Sequence, residues 1–173
     1  MNNKKKTRTI VLTALFAALI YLTTAYLFHI PTSNGGYIHV GDAFIYIAAC
    51  VLPRPYAMCA ASIGAGLSDL LSPGGAIFVI PTMLIKPLLV LPFTGKTKFL
   101  SRRNIVATVV AGVLGIAGYF VAEWIMFGNP MALLLTIPRG ALQPIGSGIL
   151  YVIAAIALDK AKVKERYIQK AVA

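Results

Sequence analysis

The sequence predicts an all-α membrane protein: one compact bundle of six transmembrane helices, a single domain over residues 1–173, with N- and C-termini cytoplasmic. Three observations carry that prediction. The 173 residues are 58% apolar and 12% charged, with a mean hydropathy of +0.81, whereas soluble domains hold about 25% charged residues. A soluble domain of this length leaves too much surface facing water to hide so many apolar side chains. Stretches 9–41, 104–122 and 140–158 contain no Asp, Glu, Lys or Arg, and about 20 mainly apolar residues span a bilayer. Finally, the basic residues gather on one side once the segments are laid out in order.

After a basic tail at 1–7, the first segment reads as a helix over 8–30. Its apolar run from Ile10 to Ile30 exceeds the 7–15 residues of a signal-peptide core, so it reads as a membrane helix. Asn34-Gly35-Gly36 marks a turn in the following loop. Helix two (42–52) opens at Gly41-Asp42, where Asp42 suits an N-cap. It is the shortest segment, ended by Pro53-Arg54-Pro55. Helix three (55–71) carries Ala60, Gly64 and Ser68 at four-residue spacing, a small-residue stripe for close helix packing. Asp69 lies at its end, where it can pair with Lys86 or cap the loop at Ser72-Pro73-Gly74-Gly75. Helix four (76–93) contains Pro81, Pro87 and Pro92 around Lys86. Proline frees carbonyls that something else must satisfy inside a membrane. Helix five (104–127) has Gly112, Gly115 and Gly118 for packing, then Tyr119, Glu123 and Trp124. Helix six (138–160) opens with Arg139 and, one turn on, Gln143, before a second basic tail at 161–173. Cys50 and Cys59 read as small buried apolar residues with no metal spacing.

On this layout the N-tail, the 2–3 turn, the 4–5 loop and the C-tail hold 14 of the 16 Lys and Arg residues, and the opposite loops hold none. The positive-inside rule makes that basic side cytoplasmic. The net charge of +11 is then explained by topology and by attraction to anionic lipid, and nucleic acid is not expected as a partner. Five ionisable residues remain: Lys86, Arg139, Asp42, Asp69 and Glu123. Such groups at bilayer depth face the bundle interior or water and mark functional sites. Lys86 beside a kinked segment suits a ligand cavity or an ion pair with Asp69 or Glu123. Arg139 and Gln143, on one helix face, can hold a carboxylate, phosphate or imide edge. Trp124 serves as an interfacial anchor or a wall for a flat ring. His29 and His39 read as ordinary polar residues, not metal ligands.

No Walker motif, H-E-x-x-H, G-x-S-x-G or Cys/His cluster is present, and no inverted repeat suggests a self-contained transporter. Neither a metal nor a cofactor is expected. A stand-alone channel or facilitator needs a continuous polar path, yet the buried charges do not continue to the cytoplasmic side. An intramembrane enzyme using Asp69, His39 or Glu123 lacks a nucleophile–base spacing.

The order TALFAALIYL, GGYIHVGDAFIYIAACVL, YAMCAASIGAGLSDLLSPGG, IPTMLIKPLLVLPFTG and Arg-Gly-Ala-Leu-Gln-Pro resembles the substrate-binding S components of energy-coupling factor (ECF) vitamin transporters. The likeness spans nearly the whole chain and is greatest to the riboflavin-transporter type. The resemblance implies a multi-pass protein of the bacterial cytoplasmic membrane that captures a vitamin-like small molecule at the outer face. It implies partners as well: an ECF T component and two ATPase subunits. In that family an Ala-x-x-x-Ala motif on helix one docks on the T component, here Ala14 and Ala18. The ligand would sit under the 1–2 loop, near Asn34, Tyr37, His39, Lys86, Tyr119, Glu123, Trp124, Arg139 and Gln143. Many S components have Asn shortly before the Gln of helix six. Here Arg139 lies in that stretch, which favours a ligand with an anionic or strongly accepting group.

Overall fold

Proline and glycine decide where these apolar segments break. A computed structural model describes residues 3–27, 29–31, 37–96, 98–128 and 137–165, with the backbone alone at 31, 37 and 137–139. Among them are six α-helices: α1 (Asn3–Tyr26), α2 (Asp42–Val51), α3 (Arg54–Leu71), α4 (Val79–Leu88), α5 (Arg102–Phe127) and α6 (Ile137–Lys160). A 3-10 turn over Gly75–Phe78 leads into α4. One short antiparallel pair, β1 (Ile30–Pro31) with β2 (Tyr37–Ile38), closes the α1–α2 connection in the register Ile30↔Ile38. All six expected segments are helical, with shifted ends. The first begins earlier, so Lys4, Lys5 and Lys6 ride on the opening turns of α1.

Local chemistry explains the boundaries. Pro53 precedes α3 and Pro55 sits in its first turn, where a missing N–H costs nothing. Ser101 caps α5, its side chain accepting from the Asn104 N–H at 3.3 Å. Pro87 lies inside α4 and cannot donate to the carbonyl of Met83, four residues back. Ser62 of α3 donates its hydroxyl to that carbonyl at 2.9 Å. A neighbouring helix thus satisfies the acceptor that the proline orphans.

α3 packs on α1 and α4, α4 on α5, and α5 on α6. α6 meets α2, which also touches α1 and α3. α2 is therefore wrapped by its neighbours, with Ala43, Ile45, Tyr46, Ala48 and Cys50 essentially inaccessible. The small-residue stripe of α3 is internal packing: Ala60, Gly64 and Ser68 are buried. A Cβ added at Gly64 would lie 2.5 Å from the carbonyl oxygen of Ala17. Cys50 is buried as expected, but Cys59 is exposed. It stands on the outward stripe of α3 with Ile63, Leu67 and Leu70.

Among the described residues three helical stretches are long and apolar enough to cross a membrane: Asn3–Tyr26, Arg102–Phe127 and Gly140–Lys160. Their outward faces present Val106, Val109, Val113 and Ile125 on α5, and Leu142, Ile145, Ile149 and Ile153 on α6. So much contiguous apolar surface suits contact with lipid.

Candidate functional site

α2, α4 and α6 bring one residue each to a buried polar junction. Lys86 Nζ of α4 donates to Asp42 Oδ1 of α2 at 2.6 Å. Gln143 Nε2 of α6 donates to Asp42 Oδ2 at 2.8 Å. Lys86 is 2% exposed and Asp42 3%. Removing two charges from water is costly, and close geometry plus extra donors offset that penalty. Lys86 also stands 5.5 Å from the ring centroid of Tyr119 on α5, within cation–π range. The Tyr119 hydroxyl is 2.7 Å from Thr82 Oγ1, one turn before Lys86. The junction offers a carboxylate acceptor, an ammonium and an amide donor, and an aromatic face.

Two sequence readings are corrected. Lys86 pairs with Asp42, not with Asp69 or Glu123. Asp42 does not cap α2, because Gly41 occupies the cap position with no side-chain cap bond. An ammonium and an amide delivered by two other helices hold both carboxylate oxygens, and a charge-assisted bond outcompetes a backbone N–H.

His39 adjoins the junction from the β2–α2 connection. The Gly41 N–H donates to His39 Nδ1 at 3.0 Å, which places the imidazole proton on Nε2. Burial, aided by the Lys86 charge, holds His39 down to about 3 from an ordinary 6.5, so the ring is neutral. Gly41 is required here: a Cβ would collide with Thr24 Oγ1 of α1 and lie 3.1 Å from His39 Nδ1.

The remaining candidates are placed less centrally. Glu123 is half-buried on α5, one turn past Tyr119. Trp124 is 50% exposed, its ring 6.4 Å from Phe120. No hydrogen bond or ring contact joins it to the junction among the described residues. Asn34 lies outside the described residues, as do the side chains of Tyr37 and Arg139, whose backbones belong to β2 and α6. Ala14 and Ala18 are exposed on α1, while Ala17 turns inward. Asp69 is buried at the end of α3.

The sequence reading missed a second polar system at the opposite end of α2. Asn104 Oδ1 accepts the Thr94 N–H at 3.1 Å. Its Nδ2 reaches the carbonyls of Thr94 and Phe99, both at 3.2 Å, and Cys50 Sγ at 3.4 Å. The Asp159 carboxylate accepts the N–H groups of Phe99 and Leu100 at 3.0 and 2.8 Å. Tyr151 donates its hydroxyl to the Phe99 carbonyl at 2.7 Å. Tyr46 stacks on Phe93 at 4.9 Å and meets Tyr151 edge-on at 6.0 Å. These bonds stitch the α4–α5 connection across that end of the bundle. A signal existed: Asp42, Tyr46 and Cys50 on α2, and Gln143, Ser147 and Tyr151 on α6, each repeat every four residues, one helix face apiece. The two faces meet at Asp42–Gln143 and at Cys50–Tyr151.

Compared with known proteins, the chain matches at residues 4–160 the model of a family described as ECF-type riboflavin transporter, S component. That stretch takes in all six described helices except the first residue of α1, Asn3. No match is found among curated proteins.

Proposed function

The chain belongs to the ECF-type riboflavin transporter S-component family, a family of substrate-binding membrane subunits, and from that premise we propose that it captures a vitamin-class small molecule outside the bacterial cell. On this reading six helices cross the membrane, the termini and basic loops are cytoplasmic, and the Asp42 junction opens toward the outer side. A T component and two ATPase subunits supply the work. The chain itself binds and hands over its ligand and transforms nothing.

The observation that carries the reading is the buried Asp42–Lys86–Gln143 junction beside the Tyr119 ring. Buried charged groups inside a membrane bundle mark a substrate path. One acceptor and two donors beside an aromatic face suit a flat heterocycle with adjacent N–H and C=O groups, as in riboflavin or a related cofactor precursor. His39 and Gln143 adjoin that site, and Asn34, Tyr37, Glu123, Trp124 and Arg139 are the further ligand contacts of this proposal. The hydrogen bonds of Asn104, Tyr151 and Asp159 that tie the other end of the bundle together support capture over conduction. The exposed Ala14 and Ala18 suit close approach of a T-component helix. The loaded bundle then reorients as a body when ATP is hydrolysed next door.

Mass spectrometry of ligand released from the purified protein identifies the substrate, and quenching of Trp124, the sole tryptophan, follows its titration. Uptake into liposomes is expected only with the T and ATPase subunits present. Uptake by the chain alone overturns the proposal. Ala14→Trp should spare ligand binding and block assembly.

A further inference from the structure

At the basic end of the bundle, an open, shallow groove of about 380 Å³ lies between the end of the α4 segment and the start of α5, lined by Pro92, Arg102, Arg103, Val106, Ala107 and Val110. Its lining is ordered along the helix. Arg102, Val106 and Val110 recur every four residues, so they share one face of α5. The charge sits in the first turn, and the face runs about 12 Å along the axis from Arg102 to Val110 at 1.5 Å per residue, its apolar half being Val106 to Val110. Val106 and Val110 are 61% and 42% exposed, and Ala107 forms a buried floor. Neither guanidinium makes a hydrogen bond or ion pair among the described residues. The first turn of α5 holds no acidic residue, and the Asp159 carboxylate, held by the N–H groups of Phe99 and Leu100, makes no ion pair with either arginine, so two cationic groups stand on the positive end of a helix dipole.

We propose that this groove seats one anionic glycerophospholipid of the cytoplasmic leaflet. Its phosphate lies on Arg102, Arg103 and the start of α5, and an acyl chain runs along Pro92, Val106 and Val110. Charge complementarity selects this occupant. A zwitterionic lipid offers the same tails but no net charge for two guanidiniums, and a soluble phosphate ester leaves the valine wall uncovered. The assignment rests on the proposed orientation, in which the basic end faces the cytoplasm.

Native mass spectrometry of the full chain with added phosphatidylglycerol or phosphatidylcholine tests it. One phosphatidylglycerol should survive activation that strips phosphatidylcholine. Arg102→Gln with Arg103→Gln should weaken that binding about thirtyfold, at roughly fivefold per basic group near an anionic surface. Val110→Trp, which fills the groove with both arginines intact, should weaken it too. Lys160→Gln with Lys162→Gln, at the same end, should not. Equal retention of the two lipids overturns the proposal, as does unchanged binding in the double arginine variant. Competition by sn-glycerol 3-phosphate as strong as by the lipid overturns it in favour of a headgroup site. Loss of T-component assembly with lipid binding intact overturns it in favour of a protein contact. Labelling of Arg103→Cys from each side of the membrane separates failure of the orientation from failure of the site.

Discussion

Lys86 and Asp42, 44 residues apart in sequence, meet at 2.6 Å where neither is more than 4% exposed at its side chain. Removing one member strands the other. Lys86→Met or Asp42→Asn should each destabilise the detergent-solubilised protein by about 3 kcal/mol. The double variant should recover much of that loss, because an uncharged pair no longer needs a partner. Thermal melts of the four proteins provide the coupling. Additive losses would mean the pair is not mutually stabilising.

The Ser62–Met83 bond exists because Pro87 has no N–H to give. Ser62→Ala should therefore cost about 1 kcal/mol, the usual net scale for one lost intramolecular hydrogen bond. In a Pro87→Ala background the helix regains its own donor, and the same Ser62→Ala change should cost almost nothing. A double-mutant cycle in melting temperature checks this. An equal cost in both backgrounds would place the serine's contribution elsewhere.

Gly64 lets α3 lie against the backbone of α1 at Ala17. Gly64→Ala should lower stability by about 1–3 kcal/mol through overpacking. Gly140→Ala, where no described atom lies within 4 Å of the new Cβ, should raise it by up to about 1 kcal/mol through helix propensity. Opposite shifts in melting temperature are the expected signature of glycine used for space in one helix and not in the other.

His39 gives a pH dependence with a definite sign. Its folded value is depressed from 6.5 to about 3, so the folded state favours the neutral ring. The stabilisation is complete above pH 6.5 and fades as pH falls toward 3, by about 1 kcal/mol per pH unit within that window. His39→Asn keeps an acceptor for the Gly41 N–H but cannot take up a proton. Its melting temperature should fall less steeply than wild type between pH 6.5 and 4.5. Parallel curves would remove His39 from the acid response.

The helices were legible because bilayer thickness and proline impose themselves locally. Charge-free runs located α1, α5 and α6, and Pro53, Pro55 and Gly74-Gly75 marked the breaks around α3. Most residues of the junction were legible as candidates, since Lys86, Tyr119 and Gln143 are polar in apolar surroundings. Their pairing was not. Asp42 follows Gly41 at a helix start, where local rules assign it a cap, and only tertiary packing brings Lys86 and Gln143 within reach. Asn104 and Asp159 were passed over for the same reason: each adjoins a basic loop, where a polar residue looks solvated. Their roles depend on the path of the α4–α5 connection, which no local spacing encodes.

The wrapping of α2 has a consequence for evolution of the bundle. Ten residues cover about 15 Å, roughly half a hydrocarbon core, yet lipid does not touch most of this helix. Hydrophobic mismatch therefore exerts little selection on its length. α2 is a ruler read from Pro53: each added residue would lift Asp42 by about 1.5 Å and swing it about 100° around the axis. The depth and aim of the carboxylate are thus set by indels in one short helix, independently of the membrane in which the protein sits.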